Sequence, residues 1–175
     1  MVRDTRRSFV RNAATLAFGG AALGAAGTSG AAAADSDYEA AVEAAIHDRV
    51  NAVRAERGLE ALSAREDLAT VADSHSRDMA ERGYLSHTSP EGETMTDRYD
   101  RFDVDCRGWA ENILYNYASD ESPTAAARRS VDQWMESSGH RRNILSTSWT
   151  AEGIGAAVAD DGRLYVTQNF GVDCR

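Results

Sequence analysis

The stretch Gly139-His140-Arg141-Arg142-Asn143-Ile144-Leu145 carries the strongest signal in this chain. It joins a glycine, an imidazole and two guanidinium groups to an apolar pair, a pattern typical of a tight turn or short helix beside a polar site. Two further polar signatures, Ser86-His87 and Ala110-Glu111-Asn112-Ile113, lie far upstream. We expect the imidazoles and the carboxylate of these three segments to converge on one polar cleft.

Four side chains are the candidates for that cleft. His87 and His140 sit in turn-like contexts, and an imidazole can bind a metal such as zinc, move a proton near neutral pH or donate a structural hydrogen bond. Glu111 precedes an apolar pair and needs a partner if it is buried. Glu136 lies four residues before His140 and either reaches the cleft or stays on the surface. The candidate metal ligands are His87 and His140.

The remaining histidines have blander interpretations. His75 falls on the apolar stripe of a predicted helix, where a hydrogen-bonded core imidazole is the favoured interpretation. His47 flanks the apolar stripe of an earlier helix, and we expect it at the surface or its boundary.

Hydrophobic spacing predicts helices and one hairpin in an α+β domain. Ser63-Ala64-Arg65-Glu66 has the form of a capping box that would start the second helix. Ser122-Pro123 predicts the start of the fourth helix, because proline suits the first helical position. The predicted elements are helices over 37–57, from 63 to Gly83, over 94–101 and over 122–137, a turn or short helix over 139–145, and strands over 153–159 and 163–170.

The first 34 residues are typical of an export signal. Thr5-Arg6-Arg7-Ser8-Phe9 has the twin-arginine pattern, and a stretch rich in alanine and glycine follows it. Ala32-Ala33-Ala34 offers a small-residue cleavage site, so we predict a signal peptide over 1–34 and a mature domain over 35–175. The stretch is too weakly apolar for a permanent membrane anchor. The predicted location is outside the cell, after export by the twin-arginine pathway.

The charge of the chain restricts its partners. The net charge is −9, and every basic residue is arginine. Removal of the arginine-rich signal makes the mature chain more acidic still. Such a surface repels nucleic acid and anionic lipid headgroups. The composition is typical of a secreted protein from a salt-loving archaeon, and an acidic protein adapted to ordinary salt is the alternative.

Cys106 and Cys174 are the only cysteines. Export implies an oxidising compartment, so one disulfide is the natural interpretation, with two buried thiols as the alternative. A bridge of this span would contribute roughly 4 kcal/mol in the chain-entropy account of disulfides.

Ordered motifs over residues 38–170 resemble the CAP superfamily, which contains cysteine-rich secretory, antigen five and pathogenesis-related proteins. The match is nearest to the compact microbial branch. The motifs that carry the resemblance are Asn51-Ala52-Val53-Arg54, His75-Ser76-Arg77-Asp78-Met79-Ala80, Ser86-His87-Thr88-Ser89-Pro90-Glu91-Gly92, Glu111-Asn112-Ile113 and the run from Trp134 to Leu145.

The resemblance implies a three-layer α-β-α sandwich with a small antiparallel sheet. It also implies a cleft lined by histidines and acidic residues, which in relatives can hold a divalent metal, often zinc. The histidines carry over to His87 and His140, and the first glutamate carries over to Glu111. The second glutamate of eukaryotic members falls on Ser137 here, and Glu136 is one residue early.

Three functions remain open from the sequence. The first is a secreted binding module for a lipid, a glycan or a peptide. The second is a hydrolase, in which Glu111 acts as general base beside a zinc ion or pairs with Glu136 in glycoside cleavage. The third is a structural domain whose polar cluster binds nothing.

Overall fold

The computed structural model describes residues 28–117 and 121–175, with side chains from residue 33 onward. The twin-arginine motif and most of the predicted signal segment lie outside the described residues. The elements, in chain order, are α1 Thr28–Ala55, β1 Ser63–Ala64, α2 Glu66–Arg82, α3 Met95–Arg101, β2 Gly108–Tyr117, α4 Pro123–Glu136, α5 Ser138–Ile144, β3 Ala151–Val158 and β4 Arg163–Val172.

The four strands form one sheet in the order β1-β3-β4-β2. β4 pairs antiparallel with both β2 and β3, whereas β1 adds a two-residue parallel pairing to β3. Helices cover both faces, so the predicted α+β sandwich of three layers is confirmed. The sheet is mixed rather than purely antiparallel, because β1 runs parallel to β3.

Alternation along the strands divides the core into two halves. Leu114, Val166 and Phe170 pack with α1, α4 and α5 on one side, which we call the α1 face. Ile113 and Tyr165 pack with α2 on the other side, which we call the α2 face. Both faces of the sheet are therefore buried over most of its area.

The packing of α2 onto β3 is unusually close. A Cβ atom added at Gly155 would lie 2.1 Å from the backbone nitrogen of Asp73, and one added at Gly153 would lie 2.1 Å from that of Ala69. Ser76 of α2 also donates to the carbonyl of Gly155 at 2.9 Å. Helix backbone and strand backbone thus touch where the strand has no side chain.

The bridge between Cys106 and Cys174 is formed, as predicted. It ties the residues before β2 to those after β4, and because β2 begins where β4 ends, the bridge fastens one end of this antiparallel pair. Within the described residues, none of the helices combines the length and apolarity that crossing a bilayer requires.

The predicted capping box at Ser63 is wrong. The amide of Ser63 donates to Thr150 at 3.0 Å and that of Arg65 donates to Glu152 at 2.9 Å, so this segment is strand β1. α2 begins at Glu66 with no side-chain cap. Backbone pairing with β3 satisfies more hydrogen-bonding groups than the capping box would, and the tertiary contact overrides the local signal.

Two carboxylates of α1 cover the outer edge of β3. Glu43 accepts from the amide of Ala156 at 2.9 Å, and Glu39 accepts from the amide of Val158 at 2.8 Å. These side chains occupy the place that a further strand would take, which protects the edge from pairing with another chain. Burial raises the pKa of Glu43 to about 7, against the opposing hydrogen bond from Ala156.

This raised pKa predicts how Glu43→Gln will respond to pH. A raised pKa in the folded state means that the contribution of Glu43 to stability is present below its unfolded value of 4.5 and is lost as the pH rises through about 7. Glutamine keeps the acceptor for Ala156 without the charge. We expect Glu43→Gln to gain stability over wild type toward about pH 8 and to lose that advantage near pH 4, measured by urea unfolding. A difference that stays constant with pH would contradict this.

Candidate functional site

The candidate site lies along β2, the edge strand of the sheet. Successive side chains of β2 point to opposite faces, so Glu111 points to the α2 face and Asn112 to the α1 face. The first contacts the loop before α3, and the second contacts α5. The segments that contain His87 and His140 thus lie on opposite faces of the sheet, and both contact the edge strand β2.

Glu111 is the buried centre of the cluster. Its Oε1 lies 2.8 Å from Nδ1 of His87, and its Oε2 accepts from Nη2 of Arg98 at 2.7 Å. Burial pushes the pKa of Glu111 up, but the hydrogen bond from His87 and the charge of Arg98 outweigh it and hold that pKa below its usual value. The carboxylate is therefore ionised near neutral pH, with both oxygens engaged.

Hydrogen bonds fix the backbone at and beside His87. Arg98 donates to the carbonyl of His87 at 3.2 Å, and Ser86 accepts from the amide of Thr88 at 3.1 Å. The His87 side chain is 56% exposed, while its Nδ1 is fixed by Glu111. The ring consequently presents Nε2 away from the carboxylate, which is the orientation of a metal ligand backed by a carboxylate.

His140 enters the site from the first turns of α5. The Nδ2 of Asn112 donates to the carbonyl of His140 at 3.2 Å, and Arg54 donates to the carbonyl of Ile144 at 2.6 Å, so both ends of this short helix are tied down. Burial lowers the pKa of His140, and the charge of His87 lowers it further. The two imidazoles therefore lie close enough for the charge of one to disfavour the charge of the other.

Glu136 lies apart from this cluster. It is exposed in the last turn of α4, where it lines a groove with Arg129, Asp132 and Gln133 on the solvent side of the helix. Trp134 is fully buried, and Glu136 is about 200° further round the helix, which turns it away from the sheet. Glu111 contacts His87, α5 places His140 beside the same strand, and Glu136 lies outside this cluster.

Comparison with known proteins agrees with this architecture. The sequence profile of the cysteine-rich secretory protein family, CAP, matches residues 47–170. This chain belongs to the CAP family. The predicted membership, in the microbial branch, is thereby confirmed.

Two relatives of this CAP domain come from Bacillus subtilis. The membrane protein YlbC of Bacillus subtilis is 38% identical over 128 residues, which are 73% of this chain and 34% of that protein. YkwD of the same organism is 31% identical over 131 residues, 75% of this chain and 48% of YkwD. The chain therefore spans between a third and a half of the length of these relatives.

Solved structures support the same assignment. An extracellular protein of Bacillus anthracis that contains an SCP domain has a TM-score of 0.66 at 32% identity, covering 77% of this chain and 41% of that one. The cysteine-rich secretory protein SAV1118 of Staphylococcus aureus has a TM-score of 0.56 at 22% identity, covering 76% and 39%, and shows the shared fold.

Arg98 was not predicted as a residue of this CAP domain's site, and His75 was predicted only as a core imidazole. Arg98 is 1% exposed and pairs with Glu111, yet in the sequence it is one more arginine in a charged helix. His75 is buried as predicted, and its Nε2 lies 3.0 Å from the carbonyl of Ser86, next to His87. Burial lowers the pKa of His75 to about 4, so the ring is neutral and donates to that carbonyl.

A divalent metal at this site would have few protein ligands. Among the described residues, no group of three or more histidine, cysteine or acidic side chains could hold a metal ion together. Both oxygens of Glu111 are engaged, so the ring nitrogens of His87 and His140 are the candidate ligands that remain. Zinc commonly binds imidazole nitrogens, and a carboxylate often backs such a ring.

Proposed function

We propose that this CAP domain is an extracellular binding module whose cleft at the β2 edge holds a divalent metal, zinc by its preference for imidazole, between His87 and His140. The observation that supports the proposal is the contact of 2.8 Å between Glu111 and Nδ1 of His87, which leaves Nε2 of that ring for a ligand. The lowered pKa of His140 adds a second imidazole in its neutral, metal-binding form.

The role proposed for Glu111 is orientation rather than proton transfer. Its two oxygens are committed to His87 and Arg98, and its pKa lies below the usual value. A general base needs a free oxygen within reach of the proton it removes and a pKa near the working pH. This favours binding over hydrolysis. A bound metal would leave open positions for a polar group of the ligand, be it a lipid, a glycan or a peptide.

The proposed place of action is outside the cell, after export through the twin-arginine pathway and removal of residues 1–34. The sequence of the signal and the single disulfide support this. The acidic, lysine-free surface supports function in high salt. No nucleic-acid partner is proposed, because the net charge of −9 opposes phosphate binding.

Metal binding is testable with the mature chain, purified without chelator. We expect it to bind zinc, and we expect His87→Ala with His140→Ala to lower zinc affinity at least about a hundredfold, since both protein ligands are lost. Calorimetric titration measures the affinity. Urea unfolding without metal checks that the double variant still folds.

A matched control removes two charges from the solvent side of α4. Asp132→Asn with Glu136→Gln changes residues outside the cluster, so zinc affinity should stay at the wild-type value. Full zinc affinity in the double-histidine variant, or an equal loss in the α4 control, would show that the metal binds elsewhere or only through the acidic surface.

A further inference from the structure

A row of buried polar side chains crosses the α1 face of the sheet from one edge to the other. Glu152 of β3, Gln168 of β4 and Asn112 of β2 are all fully buried. Gln168 donates to Glu152 at 2.6 Å, and Asn112 donates to Gln168 at 3.0 Å. The row ends at His47 on the β3 side of the sheet, which we call the outer end, and at His140 on the β2 side, which we call the inner end.

The carboxylate of Glu152 fixes how each amide group in the row is oriented, and we call this donor-to-acceptor order the direction of the row. A carboxylate oxygen accepts hydrogen bonds, and Gln168 turns its NH₂ group to Glu152 at 2.6 Å. The oxygen of Gln168 then faces Asn112, which must present its own NH₂ group in return. The second hydrogen of that group goes to the carbonyl of His140 at 3.2 Å.

The outer end is fixed independently of the row. Asn51 accepts from the amide of Leu62 at 2.8 Å and donates to the carbonyl of Leu62 at 3.0 Å, which sets the orientation of its amide group. Its NH₂ group therefore faces Nε2 of His47, at 3.3 Å. Nδ1 of His47 donates to Glu152 at 2.7 Å, both in the imidazolium and in the tautomer whose Nε2 accepts from Asn51. Both oxygens of Glu152 are thus required as acceptors.

The inner end holds the helix that carries the cleft histidine. Besides its bond to His140, Asn112 accepts from Asn143 at 2.9 Å, so it contacts α5 at two points. If the amide of Asn112 turned over, it would present NH₂ to the NH₂ of Asn143 and would take the donor from His140. The direction of the row therefore decides whether α5 is held.

We propose that Glu152 is the positioning residue of the cleft: by fixing the direction of the row it sets the donor that holds His140, across two strands. The proposal rests on the function proposed above, in which His140 is a metal ligand. An apolar core of the same volume would stabilise the fold at least as well. A chain of oriented donors and acceptors, by contrast, links the hydrogen bonds of Glu152 on β3 to the position of α5 beside β2.

The decisive variant is Glu152→Gln, which changes one oxygen into an NH₂ group. Because His47 still donates, the oxygen of the new amide must face His47 and its NH₂ group must face Gln168. Gln168 and then Asn112 must turn over, which removes the donor from His140. We expect zinc affinity to fall by about tenfold to a hundredfold, the range typical of losing a residue that orients a metal ligand.

A second substitution separates positioning from simple structural damage. Adding His47→Ala to Glu152→Gln removes the donor that fixes the new amide, which can then turn its oxygen to Gln168 and restore the original direction. Zinc affinity of this double variant should return to within about twofold of the His47→Ala variant, the scatter expected of independent changes. Structural damage would instead add the two losses.

Two readouts keep the outcomes distinguishable. Calorimetry gives zinc affinity, and the side-chain amide signal of Asn112 in NMR spectra of the metal-free protein reports its hydrogen bonds directly. Wild-type affinity in Glu152→Gln, or a loss that His47→Ala does not reverse, would overturn the proposal. If the wild-type protein binds no zinc, the proposed function fails, and the positioning role then stands or falls on whether the Asn112 signal shifts in Glu152→Gln and returns in the double variant.

Discussion

Gly155→Ala is expected to destabilise the domain by about 3 kcal/mol, at the upper end of what overpacking costs. The added Cβ would lie 2.1 Å from the nitrogen of Asp73 and 2.3 Å from the carbonyl carbon of Ala72. Both are backbone atoms of α2, so no side-chain rotation relieves the clash. The helix itself must lift from the sheet, and Ser76 then loses its bond to the carbonyl of Gly155.

The chain offers a matched control for this substitution in Gly139. It lies within α5, and no atom comes within 4 Å of a Cβ built there. Alanine in a helix is better than glycine by about 0.5–1 kcal/mol, so Gly139→Ala should be neutral or stabilising. Urea unfolding of both variants gives the comparison. Equal stability changes at the two positions would mean that contact between α2 and β3 is not what holds the sandwich together.

The sequence predicted the parts of this fold that local chemistry decides. Ser122 caps α4 through the amide of Ala125, and Pro123 occupies the first turn, as the serine-proline pair indicated. The hairpin of β3 and β4 turns between the two predicted strands, at Asp160-Asp161-Gly162. Each signal depends on a few neighbouring residues, which is why it survives in the folded chain.

Elements that depend on distant partners escaped prediction. Ser63 matches a capping box and forms a strand instead, because β3 supplies backbone partners that no local pattern reveals. No strand was predicted over 108–117, because the polar pair Glu111-Asn112 and the apolar pair Ile113-Leu114 follow one another instead of alternating. Polar residues at strand positions reduced the strand signal at the very place where the cleft requires them.

The sequence predicted candidate side chains for the site but not the residues that support them. Glu111 contacts His87 in the structure, whereas a cleft shared with His140 stays a prediction. The supporting residues are Arg98 and Glu152. Both are buried, yet nothing in the sequence distinguishes them from the many charged residues expected at the surface. A fully buried carboxylate needs hydrogen-bond donors, and only the structure shows which residues provide them.

Arg98→Met is expected to cost about 3–5 kcal/mol of folding stability, the range for breaking a buried ion pair from one side. Methionine replaces the aliphatic part of the side chain, so the packing loss is small. The charge of Glu111, 2% exposed in its side chain, then keeps only His87 as a donor. Urea unfolding near neutral pH measures the loss.

The pH dependence of that loss identifies its cause. In the wild type the pKa of Glu111 lies below its usual value, so its stabilisation is present above the unfolded pKa and is lost as the pH falls through the folded one. Without Arg98, burial dominates and the folded pKa rises above the unfolded value. The sign then reverses: Arg98→Met should recover stability relative to wild type as the pH falls toward about 4.

A double variant completes the argument. Arg98→Met with Glu111→Leu removes both charges and should recover most of the stability, because an apolar pair of similar volume replaces a buried ion pair at little cost. The same double variant frees Nδ1 of His87, so it should fold and still bind zinc less tightly than wild type. If it is as unstable as Arg98→Met alone, packing rather than the unpaired carboxylate accounts for the loss. Arg98 would then be a structural residue, and the electrostatic account of Glu111 as the centre of the cleft would be wrong.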